Sequence, residues 1–192
     1  MHSDEDGQGP RQGGERASLY ALVIYLPEPL CGFLDRLRLE MVPGCNPHAH
    51  VSVLPPRPVP VAPEAAIEAA GKVVAGFAPF EIELGEIEKF DATDVVYISV
   101  GDGAQTLREM HRSLNRGVLA FDEPFQYHPH ITLAQDIGPE HIEPLRELAL
   151  RRWSEFRGPR RFRAQSAVFV RNASDNCWVD LAVEPLRAQA VR

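Results

Sequence analysis

Two five-residue stretches, His48-Ala49-His50-Val51-Ser52 and His128-Pro129-His130-Ile131-Thr132, carry the same polar pattern at an offset of 80 residues. One H-x-H-x-[ST] pattern is expected by chance roughly 0.01 times in a chain of this kind, so a matched pair marks a repeat. The flanking periodicity agrees. LYALVIYL (19–26) reads as a strand, Leu30, Phe33, Leu34, Leu37 and Met41 recur at helical spacing, and HAHVSVL (48–54) alternates with period two. A proline-rich loop (Pro55, Pro56, Pro58, Pro60, Pro63) precedes a helix marked by Ile67, Ala70, Val74 and Phe77, and FEIELGEIEKF (80–90) is strand-like. The order then returns. DVVYISVG (94–101) reads as a strand, Leu107, Met110 and Leu114 mark a helix, and YHPHITLA (127–134) is a strand. Ile142, Leu145, Ala149, Trp153 and Phe156 mark a further helix, RFRAQSAVFV (161–170) a single strand, and CWVDLAV (177–183) a last one after the turn-like segment 172–176.

This pattern predicts an α+β fold. Two duplicated β-α-β-α-β lobes, about 19–92 and 93–184 with strands free to exchange between them, are related by a pseudo-twofold axis and enclose a cleft between two antiparallel-type sheets. Residues 1–18 hold almost nothing to bury and read as a disordered tail, and 185–192 as a C-terminal tail. With 44% hydrophobic and 24% charged residues, 192 residues suffice for a core without disulfides or a structural metal. Three cysteines (Cys31, Cys45, Cys177) include no C-x-x-C pair and their odd number leaves a thiol over, which points to a reducing, cytoplasmic setting. No apolar run approaches the roughly 18 residues of a membrane helix, and the acidic N-terminus lacks a signal-peptide core. The chain is expected to act as a cytoplasmic monomer away from membranes.

Strand geometry turns the repeat into chemistry. Side chains at i and i+2 share a face, so His50 and Ser52 point the same way about 7 Å apart, as do His130 and Thr132, while Val51, Ile131 and Leu133 go to the core. If the lobes face each other, two imidazoles and two hydroxyls converge on one tetrahedral anion. Such a clamp suits in-line displacement at phosphorus, with one imidazole taking a proton and the other giving one, and with Ser52 and Thr132 donating hydrogen bonds to non-bridging oxygens. No metal is needed. A metal-dependent reading, in which both H-x-H pairs ligate one ion, and a non-catalytic RNA- or nucleotide-binding module are the alternatives.

His50-Val51-Ser52 and His130-Ile131-Thr132, with their flanks PHAHVSVLPPRP and YHPHITLAQ, resemble the paired H-x-[TS] motifs of the 2H phosphoesterase superfamily, in its 2′-5′ RNA ligase-like branch. The resemblance implies a bilobal fold with the motifs in a central cleft. It also implies a metal- and cofactor-free activity on 2′,3′-cyclic phosphate or 2′-5′ linkages of RNA or nucleotides. In that resemblance His50 and His130 match the catalytic histidines, with His130 as base and His50 as acid, and Ser52 and Thr132 match the phosphate-binding hydroxyls. Members of the branch often carry a basic residue where this chain has Gln135. Further candidates for substrate contact are Arg57, Tyr127, His48 and His128, with Phe125 as a stacking aromatic. Net charge is −7, yet residues 146–163 hold seven arginines against two glutamates, a local +5 that could guide an RNA backbone or pair with the acidic remainder.

Overall fold

The computed structural model describes residues 18–46, 48–90, 92–174 and 177–187. Its first half runs β1 (Leu19–Tyr25), α1 (Leu30–Met41), β2 (His50–Pro58), α2 (Pro63–Val74) and β3 (Phe80–Lys89). The second runs β4 (Val96–Val100), α3 (Ala104–Leu114), a 3-10 turn at Gly117–Leu119, β5 (His130–Ala134), α4 (Pro139–Glu155), β6 (Arg161–Ala164), β7 (Ser166–Ser174) and β8 (Cys177–Pro185). These strands build two antiparallel four-stranded sheets, ordered β2-β1-β7-β8 and β5-β4-β3-β6. The α+β fold with its paired sheets is therefore present, and the strands are exchanged. β3 joins the sheet of the second half, and β7 and β8 return to that of the first.

The exchange corrects one strand. RFRAQSAVFV is not continuous: β6 ends at Ala164, and after Gln165 the chain re-enters the other sheet as β7. Phe162 and Ala164 alternate with exposed arginines, whereas residues 167–170 are buried without interruption because β7 is an interior strand covered on both faces. β1 is the other such strand. Leu22 and Ile24 enter the main core, while Ala21 and Val23 meet Val168 and Val170 on the opposite face.

Helices cross over as well. α1 turns Leu30, Leu34, Leu37 and Met41 inward and lies against β5 and α4, whereas α3 packs on β2 and α2. Gly103 starts α3 with φ +87°, and a Cβ there would stand 2.4 Å from the Glu81 carbonyl oxygen, so only glycine fits. One apolar core joins both sheets to the helices.

Two further boundaries move. β2 continues through the prolines to Pro58, because it is an edge strand whose pairing with β1 is irregular between Tyr20 and Leu22, opposite Pro55 and Pro56. The expected C-terminal tail is docked at its start: Leu186 is 5% exposed and its N–H donates to Gln165 O, and Arg187 N–H donates to Phe77 O. The expected N-terminal tail up to residue 17, Asp175 and Asn176 of the last turn, and residues 188–192 lie outside the described residues.

Candidate active site

β2 and β5 are edge strands of different sheets and lie against each other. Their alternation sorts each side chain. Val51, Val53, Ile131 and Leu133 are buried in the common core, and His50, Ser52, His130 and Thr132 are half-buried on the opposite faces. In register, His50 stands beside Tyr25 and Ser52 beside Val23, and His130 beside Ser99 and Thr132 beside Tyr97. The two half-sites meet: the Tyr127 hydroxyl, three residues before His130, donates to the carbonyl of Ser52 at 2.9 Å, and His130 is one of the charges that bear on His50.

Each imidazole is held in the same way. His50 Nδ1 lies 2.6 Å from the His48 carbonyl oxygen, and His130 Nδ1 lies 2.7 Å from that of His128. A carbonyl only accepts, so each Nδ1 carries the proton and each neutral ring keeps Nε2 as a lone-pair acceptor. Burial lowers the His50 pKa to about 4, with the cations of Arg38, His48 and His130 adding to the fall against the support of the His48 carbonyl. Burial lowers His130 too, and there the added cation is His128. Both rings are therefore neutral at pH 7 in the unliganded protein. Among the described residues neither the Ser52 nor the Thr132 hydroxyl is engaged by another protein group.

The walls of the two half-sites differ. Tyr25 packs edge-on to His48 at 4.0 Å and to His50 at 6.3 Å, and its hydroxyl donates to Asp180 Oδ1 at 2.6 Å. Around His130 stand Phe90 at 5.1 Å and Tyr97 at 5.3 Å, the Tyr97 hydroxyl donating to Glu88 Oε2. Past Tyr25 a cavity of about 210 Å³ opens, lined in part by Arg163, Gln165 and Ser166. Arg38 of α1 is the cation that sequence reading missed. It has no motif around it, and only the packing of α1 brings it to His50. Its buried Nε has no partner among the described residues.

Several expected contacts change role. Arg57 is not a substrate contact: it is 1% exposed, and its guanidinium donates to Pro55 O, Asn115 Oδ1, Leu119 O and Glu123 Oε1. A buried cation needs such a full set of acceptors, which leaves none of its charge for a ligand. Glu123 Oε1 also accepts from His111 Nε2 at 2.9 Å; burial and Arg57 keep that ring neutral, and it stacks on Tyr127 at 4.0 Å. Tyr127 thus has one face covered by His111 and its hydroxyl on Ser52 O, which makes it a brace between the half-sites rather than a free stacking platform. His48, His128 and Phe125 are exposed at the rim. In the basic segment, Arg152 pairs with Glu40 and Glu155, Arg161 with Glu83 and Asp102, Arg163 with Glu81 and Arg146 with Glu143, while Arg160 covers Trp153. Five of its seven arginines are thereby engaged within the protein.

Comparison with known proteins agrees with this geometry. A profile described as the 2′-5′ RNA ligase superfamily matches residues 26–176. A protein of Oceanobacillus iheyensis that carries the provisional name phosphoesterase OB1230 is 31% identical over 78 residues, 40% of this chain and 44% of that protein, so the match spans less than half of the relative. In overall fold, E. coli LigT in complex with 3′-AMP superposes with a TM-score of 0.61 at 15% identity, over 88% of this chain and 98% of that one. LigT with NADP+ gives 0.61 at 16% identity over 91% and 100%, and Kluyveromyces marxianus Usb1 gives 0.51 at 14% over 88% and 97%. No described helix is long and apolar enough to cross a membrane. With the profile covering most of the chain and both H-x-[ST] strands inside the match, the protein belongs to the 2′-5′ RNA ligase superfamily, the 2H phosphoesterases.

Proposed function

We propose that the protein is a metal-independent phosphodiesterase that opens 2′,3′-cyclic phosphates, or cleaves or forms 2′-5′ linkages, in RNA or nucleotides. The observation that carries this reading is the pair of Nδ1–H···O=C bonds, which leaves both Nε2 atoms as proton acceptors on neighbouring edge strands. In the hydrolytic direction one neutral Nε2 takes the proton of the attacking water as its oxygen bonds to phosphorus. The other ring, protonated, gives its proton to the departing ribose oxygen, and Ser52 and Thr132 donate to the non-bridging oxygens. One ring takes up its proton from solvent as the substrate binds, because a phosphate anion between two depressed imidazoles favours the imidazolium and raises its pKa. The assignment of His130 as base and His50 as acid asks that anion to overcome the opposing Arg38 charge at His50. The nucleotide ligands that LigT holds in its crystals support a nucleotide substrate.

The four-histidine metal centre is disfavoured by arrangement, since among the described residues the four rings do not bring their nitrogens within ligand distance of one another. Chelator-treated protein assayed against 2′,3′-cyclic nucleotides, cyclic-phosphate-terminated oligonucleotides and 2′-5′-linked dinucleotides is the test. Turnover to one regioisomer of the monophosphate is expected in EDTA. Salt-dependent binding without any product, or turnover that returns only with added metal, overturns the reading.

A further inference from the structure

At the edge of the candidate active site, α1 and the segment before β2 bring together three side chains of complementary ligand chemistry. Cys31 and Asp35 stand one turn apart on α1, and with His48 they place one potential ligand atom each within 4.8 Å of one another. The Cys31 Sγ to Asp35 Oδ2 separation is 3.5 Å. Tetrahedral zinc with Zn–S of about 2.3 Å and Zn–O of about 2.0 Å sets sulfur and oxygen about 3.5 Å apart, so two of the three donors already stand at chelating distance. His48 is exposed, and a ring nitrogen of it lies within 4.8 Å of both donors. The supporting contacts of a ligand set are also in place. Ala49 N–H donates to Asp35 Oδ1 at 2.8 Å, which fixes the carboxylate and turns its second oxygen to the thiol, and Tyr25 backs the His48 ring at 4.0 Å.

We propose that Cys31, Asp35 and His48 form a zinc-binding site with its fourth position open to solvent, distinct from the phosphoryl-transfer machinery. Thiolate, imidazole and carboxylate together suit a borderline-soft divalent ion better than calcium or magnesium, which prefer all-oxygen sites. Binding converts the thiol to a zinc thiolate and releases one proton to solvent, with no change of oxidation state. The site bears on catalysis through the backbone, because the carbonyl of His48 orients the His50 ring. Zinc on the His48 side chain thus makes the placement of His50 responsive to metal, while the metal takes no part in the reaction.

Metal-stripped full-length protein titrated with Co²⁺, then competed with Zn²⁺, tests this. One equivalent of cobalt is expected to give tetrahedral d–d bands and a near-ultraviolet thiolate-to-cobalt band, with one proton released. Cys31→Ser is expected to abolish the thiolate band, and His48→Gln, at an exposed position that cannot disturb the core, to weaken zinc binding at least about tenfold. Cys45→Ser is expected to keep both. A thiolate band that survives in Cys31→Ser, zinc affinity unmoved by His48→Gln, or a cobalt spectrum that is octahedral or never saturates overturns the proposal. The readout is spectroscopic, so it stands or fails independently of whether the protein turns over a cyclic phosphate.

Discussion

The half-site on β2 and the half-site on β5 share every feature that a strand can dictate and differ in nearly everything else. In both, an imidazole follows a histidine by two residues, binds that residue's carbonyl through Nδ1, and stands two positions before a hydroxyl. Their surroundings diverge. His50 lies under Tyr25 and feels the Arg38 charge, whereas His130 lies between Phe90 and Tyr97, and among the described residues the added charge on it is that of His128. The repeat thus supplies two similarly held imidazoles, and neighbours that are not repeated make their surroundings electrostatically unequal. In the proposed scheme repulsion between two imidazolium charges disfavours double protonation whatever the separate pKa values, and the Arg38 charge biases His50 towards the neutral form.

The largest test of this comparison is loss of either ring. His50→Ala and His130→Ala are each expected to lower kcat by about 10³-fold or more on a cyclic-phosphate substrate, with circular dichroism unchanged. Near-normal turnover in one variant breaks the two-sided scheme. Next in size is the brace that holds the half-sites together. Arg57→Met, behind Tyr127, removes the cation of a buried ion pair and leaves Glu123 with only the His111 ring as partner, at a cost of about 3–5 kcal/mol in urea unfolding. Ser52→Ala and Thr132→Ala are expected to lower kcat about 10²-fold each, and unequal losses would show which strand faces the developing charge.

Smaller effects sharpen the electrostatic contrast. Folded His50 titrates near 4 and an unfolded histidine near 6.5, so the unfolded chain takes up the proton more readily. Stability from this group is whole above about pH 6.5, is lost as pH falls through that window, and levels off below about 4. His50→Ala should flatten the window in urea melts at pH 4.5 against pH 7.5. Smallest is Arg38→Gln. Removing that cation is expected to raise the His50 pKa and leave His130 in place, as read from histidine ring resonances during an NMR titration. An unmoved His50 would dissolve the asymmetry.

Arg57 shows why some of the site escaped sequence reading. Its place beside the first motif invites a phosphate contact, but three of its four acceptors come from residues 115–123, some 60 positions away, and only the packing of α3 on β2 brings them near. Arg38 is the converse case, an arginine in an ordinary helical stretch with no local signal that the turn after it leads back to His50. Gln165 is a third. A single residue between two strands of different sheets shifts the alternation by one, which inside RFRAQSAVFV is indistinguishable from a continuous buried strand.

Strand periodicity needs only near neighbours, and for that reason the paired faces, with His50 and Ser52 on one strand and His130 and Thr132 on the other, were legible from the order of residues alone. The four helices were legible from apolar recurrence at helical spacing, although α2 begins at Pro63, read as loop, and ends at Val74, short of Phe77. Which sheet each strand joins, which cation reaches which imidazole, and which arginine is consumed by the interior depend on contacts between residues tens of positions apart. Those contacts form where burial of the common apolar core is greatest, and that is a property of the assembled chain, not of any stretch of it.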